Sequence, residues 1–429
     1  MQNKINSVLR EVLKEVKPSG EELKETEKIL KNYLKKIKRN IQNRKINADI
    51  FVGGSFAKKT LIKKDSYDTD IFIRFDKKYK DELLSDLVEK ILSGTGFRSV
   101  RVHGSRDYFK IKIRENLFFE IVPVKRIGNP REAENVTDLS YSHVNYIKKK
   151  IKSEKILDEI RLAKAFCYAN GSYGAESYVQ GFSGYGLELL ISHYKSFLKF
   201  INAVVKADVN NKVIIDIEKH HKSKNVILMD LNEAKLKSPI ILVDPTYKQR
   251  NVLAALSEET FNGFRNVCRN FLKRPSKEFF SLKKINIEKI KSNSNKEGLE
   301  FILLKIATDK QEGDVAGTKL LKFYRHINEE ISKFFEVKEK GFEYGGKKSG
   351  IAFFVGKKKP WIPVTGPMVA QEKHAKRFKD KYKNISIKNG RLYAKIQLGY
   401  SLKQFLQSWI KKNRKKIKDM HITQMDISS

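Results

Sequence analysis

The chain has 429 residues, room for roughly two to four domains, and its 40% hydrophobic content is ordinary for a globular protein. Lysine and arginine number 88 against 50 aspartates and glutamates, a formal net charge of +38. A surface this basic repels itself unless it meets a polyanion, and nucleic acid is the usual one. A bias toward lysine codons would account for lysine over arginine but not for the shortage of acids. No stretch approaches the roughly 18 uncharged apolar residues of a membrane span. The opening residues, Met1 to Asn6, lack the apolar core of a signal peptide. A cytoplasmic protein with no membrane partner is therefore expected. Cys167 and Cys268 sit in apolar helical patterns and fit free thiols in a reducing compartment. No Cys/His cluster has zinc spacing.

In chain order, residues 1–47 read as two helices broken at Pro18, the second capped by Ser19 with Glu21 and Glu22 in its first turn. Ala48 to Gly53 is β-prone and runs into Gly53-Gly54-Ser55, followed by a helical turn over Phe56 to Lys59. Asp68 to Phe75 alternates like a half-buried strand, Asp81 to Leu92 is an amphipathic helix, and Tyr108 to Arg114 pairs with Leu117 to Val124 around Glu115-Asn116. From Tyr141 to Arg274 the pattern is mostly helical, strongest over Ser153 to Asn170 and Gly184 to Val205, with Ser183 as a helix cap. Past Pro275, Leu299 to Ala307 and Phe342 to Val355 read as strands, and Val315 to Lys338 and Glu372 to Lys383 as helices. Ile385 to Leu398 reads as a hairpin around Asn389-Gly390, and Ser401 to Lys418 as a final, very basic helix.

Three features carry chemistry. The Gly53-Gly54-Ser55 turn lets backbone approach a ligand closely and places Ser55, Lys58 and Lys59 beside it, although such a turn also fits an ordinary loop. Asp68 and Asp70, at i and i+2 of one strand, point to the same face, where they repel each other unless a cation intervenes; a solvated strand end is the alternative. Glu120 interrupts the apolar run Leu117 to Val124, where a lone carboxylate should be paired or bind metal unless it faces water from an edge strand. Taken together, the three describe a two-metal phosphoryl-transfer site holding two Mg²⁺ ions.

The run Gly54-Ser55-Phe56-Ala57-Lys58-Lys59-Thr60 followed by Asp68-Thr69-Asp70-Ile71-Phe72 resembles the signature of the DNA polymerase β-type nucleotidyltransferase superfamily. Arg161 to Lys164, Ala169 to Glu176, Gly181 to Tyr185, Val243-Asp244-Pro245, Arg250-Asn251-Val252 and Gly366-Pro367 resemble the archaeal, class I CCA-adding enzymes. The resemblance runs from about residue 45 to 275 and more faintly beyond. It implies template-independent rebuilding of the tRNA CCA end from CTP and ATP. Asp68, Asp70 and Glu120 would be catalytic and metal-binding; Gly54, Ser55 and Lys58 would hold the triphosphate. His143, Lys164 and Tyr173 would contact the nucleotide, and Arg250 would read the base edge. Two positions depart from the family: Glu120 stands where Asp is usual, and Lys58 where Arg is usual, a point charge in place of a bidentate fork.

The expected fold class is α+β: a mixed-sheet nucleotidyltransferase head over 1–140, a helical nucleotide-binding neck over 141–275, and an α/β tRNA-binding body with a helical tail over 276–429. In the last region aromatics (Phe323, Tyr324, Phe353, Phe354, Trp361, Tyr382, Tyr393, Tyr400, Trp409) are interleaved with lysines; most are expected in the core and some on unpaired bases. The partners expected are tRNA, ATP and CTP, with a homodimer left open. The competing expectations are a poly(A) polymerase or other RNA-tailing enzyme, a catalytically decayed RNA-binding protein, and an aminoglycoside-type nucleotidyltransferase, the last disfavoured by length and charge.

Overall fold

Helix α1 (Gln2–Val16) and helix α2 (Gly20–Asn43) are separated at Pro18 because Ser19 starts the second one. The Ser19 hydroxyl accepts from the Glu22 amide at 3.1 Å and the Glu22 carboxylate accepts from the Ser19 amide at 2.9 Å, a reciprocal capping box. In this computed structural model, residues 2–64, 66–208, 211–282 and 285–429 are described; of the residues named above, Met1 lies outside them. The chain forms two compact units, Met1–Lys283 and Lys284–Ser429. It mixes helix and strand throughout, as an α+β protein should.

In the first unit, β1 (Ala48–Val52), the single turn α3 (Gly54–Ala57), β2 (Tyr67–Phe75), α4 (Leu84–Leu92), β3 (Ser99–Val102), β4 (Tyr108–Arg114) and β5 (Leu117–Lys125) follow in order. The strands make one sheet in the order β1-β2-β5-β4-β3, in which β2 and β5 run parallel and the other pairs antiparallel. Ile71, Ile73, Phe109, Leu117, Phe119 and Ile121 point to one face, where Leu30, Tyr33, Ile37 and Ile41 of α2 and Val88 and Ile91 of α4 cover them. Each such side chain removed from water contributes about 1.5–3 kcal/mol. The alternate residues of β2 and β5, among them Asp68, Asp70 and Glu120, are left for the opposite face.

The rest of this unit comprises α5 (Ser140–Lys150), α6 (Glu154–Ala169), α7 (Gly184–Tyr194), α8 (Phe197–Lys206), β6 (Val213–Ile215), α9 (Lys224–Asp230), α10 (Glu233–Leu236), β7 (Ile240–Asp244), β8 (Tyr247–Asn251) and α11 (Glu258–Lys273). Most of their apolar faces form one core around Phe166, Phe182, Phe200, Phe264 and Phe271, which also takes Ile5, Leu9 and Val12 of α1, while Ile227 of α9 and the adjoining Leu231 pack with Ile241 and Val243 of β7 in a smaller one. The sequence suggested one helix over Gly184 to Val205, but there are two. Lys195 adopts the left-handed conformation at φ +68°, and the Ser196 hydroxyl caps α8 by accepting from the Lys199 amide at 3.2 Å. The small sheet β6-β7-β8 was also missed: Ile240 to Val243 is a short run buried throughout, which periodicity cannot tell from helix.

The second unit holds α12 (Ile287–Lys296), β9 (Glu300–Thr308), α13 (Asp314–Phe334), β10 (Phe335–Tyr344), β11 (Ser349–Lys358), β12 (Ile362–Met368), α14 (Glu372–Lys381), β13 (Ile385–Lys388), β14 (Arg391–Ile396), α15 (Leu402–Lys412), α16 (Arg414–Asp419) and β15 (Ile422–Ser428). Its sheets are ordered β10-β11-β9-β15 and β12-β14-β13, all antiparallel. The helix expected to reach Lys338 stops at Phe334, because the next residues pair with β11 over a full strand. The final helix is broken at Asn413, and β15 follows it. Phe323, Phe353, Phe354 and Trp409 are core residues, whereas Trp361 is 44% exposed.

Candidate active site

Strand register assembles the acids. Parallel pairing sets Asp70 opposite Glu120, and the antiparallel neighbour sets Lys110 opposite Glu120, so three charged side chains stand abreast with Asp68 one pleat away. Gly54 has φ +61°, and a Cβ there would lie 1.6 Å from Oδ2 of Asp70. Only glycine lets the turn pass so close to that carboxylate. The Lys110 ammonium donates to Oδ1 of Asp68 at 3.1 Å and to Oε1 of Glu120 at 3.3 Å.

The electrostatics are lopsided. Burial, reinforced by Asp68 and opposed by Lys58, pushes Asp70 up to about 6. Burial, with Asp70 and Asp68 adding to it, pushes Glu120 up to about 7 against the pull of Lys110. Burial alone would lower Lys110, but Glu120 and Asp68 outweigh it and its ammonium form is favoured. Three hard oxygen donors with too little positive charge between them fit a divalent cation such as Mg²⁺. Among the described residues, no three acid, histidine or cysteine side chains stand in position to hold a metal as they are. The Lys110 ammonium lies between two of the three candidate ligands.

A second cluster lies where the turn after α3 meets α6 and α7. The Lys58 ammonium donates to Oε2 of Glu188 at 2.7 Å; Lys164 donates to Oε1 of Glu188 at 2.8 Å and to the Thr60 hydroxyl at 2.7 Å. Thr60 in turn donates to Oε1 of Glu188 at 2.7 Å. Burial would raise Glu188, but Lys164 and Lys58 outweigh it and hold it down at about 2. Tyr173 is adjacent: a Cβ on Gly184 would stand 3.0 Å from its hydroxyl and 3.9 Å from the Lys164 nitrogen. Ser55 is half-buried in α3, its carbonyl accepting from the Thr60 amide at 2.9 Å.

His143 and Arg250 meet in a third cluster, centred on Asp244 at the end of β7. His143 Nε2 donates to Oδ2 of Asp244 at 2.9 Å, Arg250 donates to the same oxygen at 2.7 Å, and the Tyr185 hydroxyl donates to Oδ1 at 3.2 Å. The Thr246 amide and hydroxyl donate to Oδ1 at 2.9 and 2.8 Å. Burial opposes the charge on Asp244, but His143, Arg250 and these donors keep it well below the usual carboxylate range. Burial lowers His143, whose neutral form donates one N–H to that carboxylate. The His143 and Tyr185 rings stack at 4.1 Å, and Lys58 lies 5.9 Å over the Tyr185 ring, which links this cluster to the second. Arg250, Asn251 and Ser183 line a cavity of about 400 Å³.

Three participants escaped sequence reasoning. Glu188 interrupts the apolar run Leu187 to Ile191, the same signal that singled out Glu120. Asp244 ends an apolar strand before Pro245. Lys110 carries no signal until strand register is known.

The family described as tRNA nucleotidyltransferase, second domain, matches residues 158–281. The CCA-adding enzyme of Nanoarchaeum equitans is 40% identical over 237 residues, 54% of this chain and 58% of that one. That of Methanocaldococcus jannaschii is 30% identical over 408 residues, 92% of this chain and 88% of that one. That of Saccharolobus shibatae is 32% identical over 288 residues, 66% of this chain and 63% of that one. Two of these alignments span less than two thirds of the relative; the Methanocaldococcus one spans nearly all of it. Among solved structures, a cytoplasmic RNA terminal U-transferase matches with TM-score 0.50 at 14% identity, over 66% of this chain and 99% of that one. The Cid1 poly(U) polymerase matches with TM-score 0.50 at 15% identity, over 64% of this chain and 98% of that one. Likeness at that identity shows a common fold. Because 30% identity is sustained over nearly the whole of both chains, and the matched domain spans the helices that carry Lys164 and Glu188, the chain belongs to the archaeal CCA-adding enzymes, a family of tRNA nucleotidyltransferases.

Proposed function

We propose that the chain adds C, C and A in turn to the 3′ end of tRNA, taking CTP and ATP without a template and releasing pyrophosphate. The observation that carries this is the meeting of two unlike clusters: acids short of positive charge on β2 and β5, and buried lysines on the adjoining turn and helix. Asp68, Asp70 and Glu120 would hold two Mg²⁺ ions. Bound there, the ions would supply activation of the RNA 3′-hydroxyl and neutralisation of the departing pyrophosphate. Gly54, Ser55, Lys58 and Lys164 would receive the triphosphate, Tyr173 and His143 the nucleoside, and Arg250 the base edge from the wall of its cavity. The extra methylene of Glu120 changes the geometry of the third ligand without removing its oxygens from the shared face.

Functionally, we divide the chain into a catalytic head (1–140), a nucleotide-binding neck (141–275) and a tRNA-binding body and tail (276–429). The last carries basic helices at α14 and α15 and the exposed Trp361, which suit shape and phosphate recognition of an RNA stem and stacking on a loose base. The free, buried Cys167 and Cys268 suit a cytoplasmic location, and no described helix is long and apolar enough to cross a membrane. Light scattering decides whether a homodimer forms.

The decisive experiment supplies labelled CTP and ATP to tRNA lacking its CCA end. Growth by C, C and A followed by arrest is expected. A long A tail would replace this function with poly(A) polymerisation. A folded protein that binds tRNA but incorporates nothing would be the decayed RNA-binding protein.

A further inference from the structure

We propose that Glu188 is a positioning residue for the triphosphate: a resident anion that holds Lys58 and Lys164 in place and yields Lys58, but not Lys164, when nucleotide arrives. This rests on the assignment of those lysines to the triphosphate.

Glu188 is fully buried, and its neighbours Leu187, Leu189, Leu190 and Ile191 are fully buried too. A trio of buried charges is a poor route to stability, because apolar side chains of the same volume commonly do as well or better. The trio therefore needs another reason to exist. Its charges sum to one positive, since a single carboxylate stands between two ammonium groups. Part of the attraction for an incoming anion is thus left unquenched.

The two lysines are held unequally. Lys164 has two partners, Glu188 and Thr60, and its side chain is 2% exposed; among the described residues Lys58 has only the second Glu188 oxygen as hydrogen-bond partner, and its side chain is 9% exposed. Both lysines favour the charge on Asp70, Lys58 more strongly than Lys164. Withdrawal of Lys58 leaves Glu188 paired with Lys164 and hydrogen-bonded to Thr60, so no bare charge is created in the interior. Glu188 thereby keeps Lys58 aimed until a phosphate oxygen takes the place of its carboxylate oxygen. Without Glu188, two ammonium groups would share a buried site beside Thr60 and Tyr173, and their repulsion would push them out of position.

Calorimetric binding of ATP, CTP and adenosine to the full-length protein tests this. Glu188→Gln should weaken ATP and CTP alike by about tenfold and leave adenosine binding unchanged. Thr60→Val, which loosens the cradle without removing its charge, should act in the same direction by about threefold, and it carries the decision alone if Glu188→Gln does not fold. Equal losses for adenosine and ATP would mean that Glu188 merely maintains the pocket; unchanged ATP and CTP affinity would overturn the proposal outright. Lys58→Met separates the two levels. If it too leaves ATP binding unchanged, the triphosphate assignment itself has failed; if it weakens ATP while Glu188→Gln does not, only the role of Glu188 has.

Discussion

The sheet face around Asp70 and the interior around Asp244 and Glu188 both bury carboxylates, with opposite results. On the sheet, like charges are gathered with one half-exposed lysine between them, and burial drives Asp70 and Glu120 up. Behind it, each carboxylate is ringed by cations and hydroxyls, and Glu188 and Asp244 are driven down despite deeper burial. One arrangement leaves its acids short of positive charge; the other supplies each acid with counter-charge from within the chain. Burial alone therefore does not decide the ionisation of an acid. The number of donors that arrive with it does.

The contrast predicts opposite responses to the same chemical change. Asp70→Asn should lower nucleotide incorporation by at least about a thousandfold, about 4 kcal/mol of barrier, while metal-free thermal stability holds or rises because a repelling charge is gone. Asp244→Asn should instead lower stability by about 3–5 kcal/mol, the usual result of stripping a buried group of its counter-charge, read from guanidinium unfolding. A fall in stability for Asp70→Asn as large as that for Asp244→Asn would erase the distinction.

Acid titration sharpens it further. Glu188, held at about 2 against an ordinary 4.5, contributes about 3 kcal/mol at neutral pH. Because its folded value is depressed, that contribution is whole above about 4.5 and is lost as pH falls from there to about 2. Wild type and Glu188→Gln should thus differ most in unfolding midpoint near pH 6 and converge toward pH 2. The smallest effect is expected at Lys110. Its partly exposed ammonium would compete with a metal for Asp68 and Glu120, so Lys110→Met should tighten Mn²⁺ binding by about threefold, measured by paramagnetic resonance without nucleotide. Weaker Mn²⁺ binding would assign Lys110 the opposite part, that of a support for the ligands.

The first sheet was legible because its information is local. Alternation over β2 and β5 set the acids on one face, and Ser19 with Glu22 marked the start of α2. What stayed hidden depends on distant partners. Lys110 gains meaning only from register with Glu120, and Asp244 from His143, Tyr185 and Arg250, which arrive from three other segments. The break between α7 and α8 turns on one left-handed lysine and one serine hydroxyl, a contest that apolar spacing does not register. Glu188 is different. Its charge in an apolar helix was visible by the rule already applied to Glu120, and only its partners, Lys58 and Lys164, needed the fold.

Strand β15 pairs with β9 along Ile422 to Ser428, far along the chain from its partner at Leu303 to Thr308. During synthesis, β9 emerges more than a hundred residues ahead of the strand that covers its edge. Until then the Ile302, Leu304 and Ile306 strand presents an open edge of the kind that recruits other chains. Nascent chains stalled between α13 and β15 should accordingly be the species most dependent on chaperones, and a truncation just before Ile422 the one most prone to aggregate.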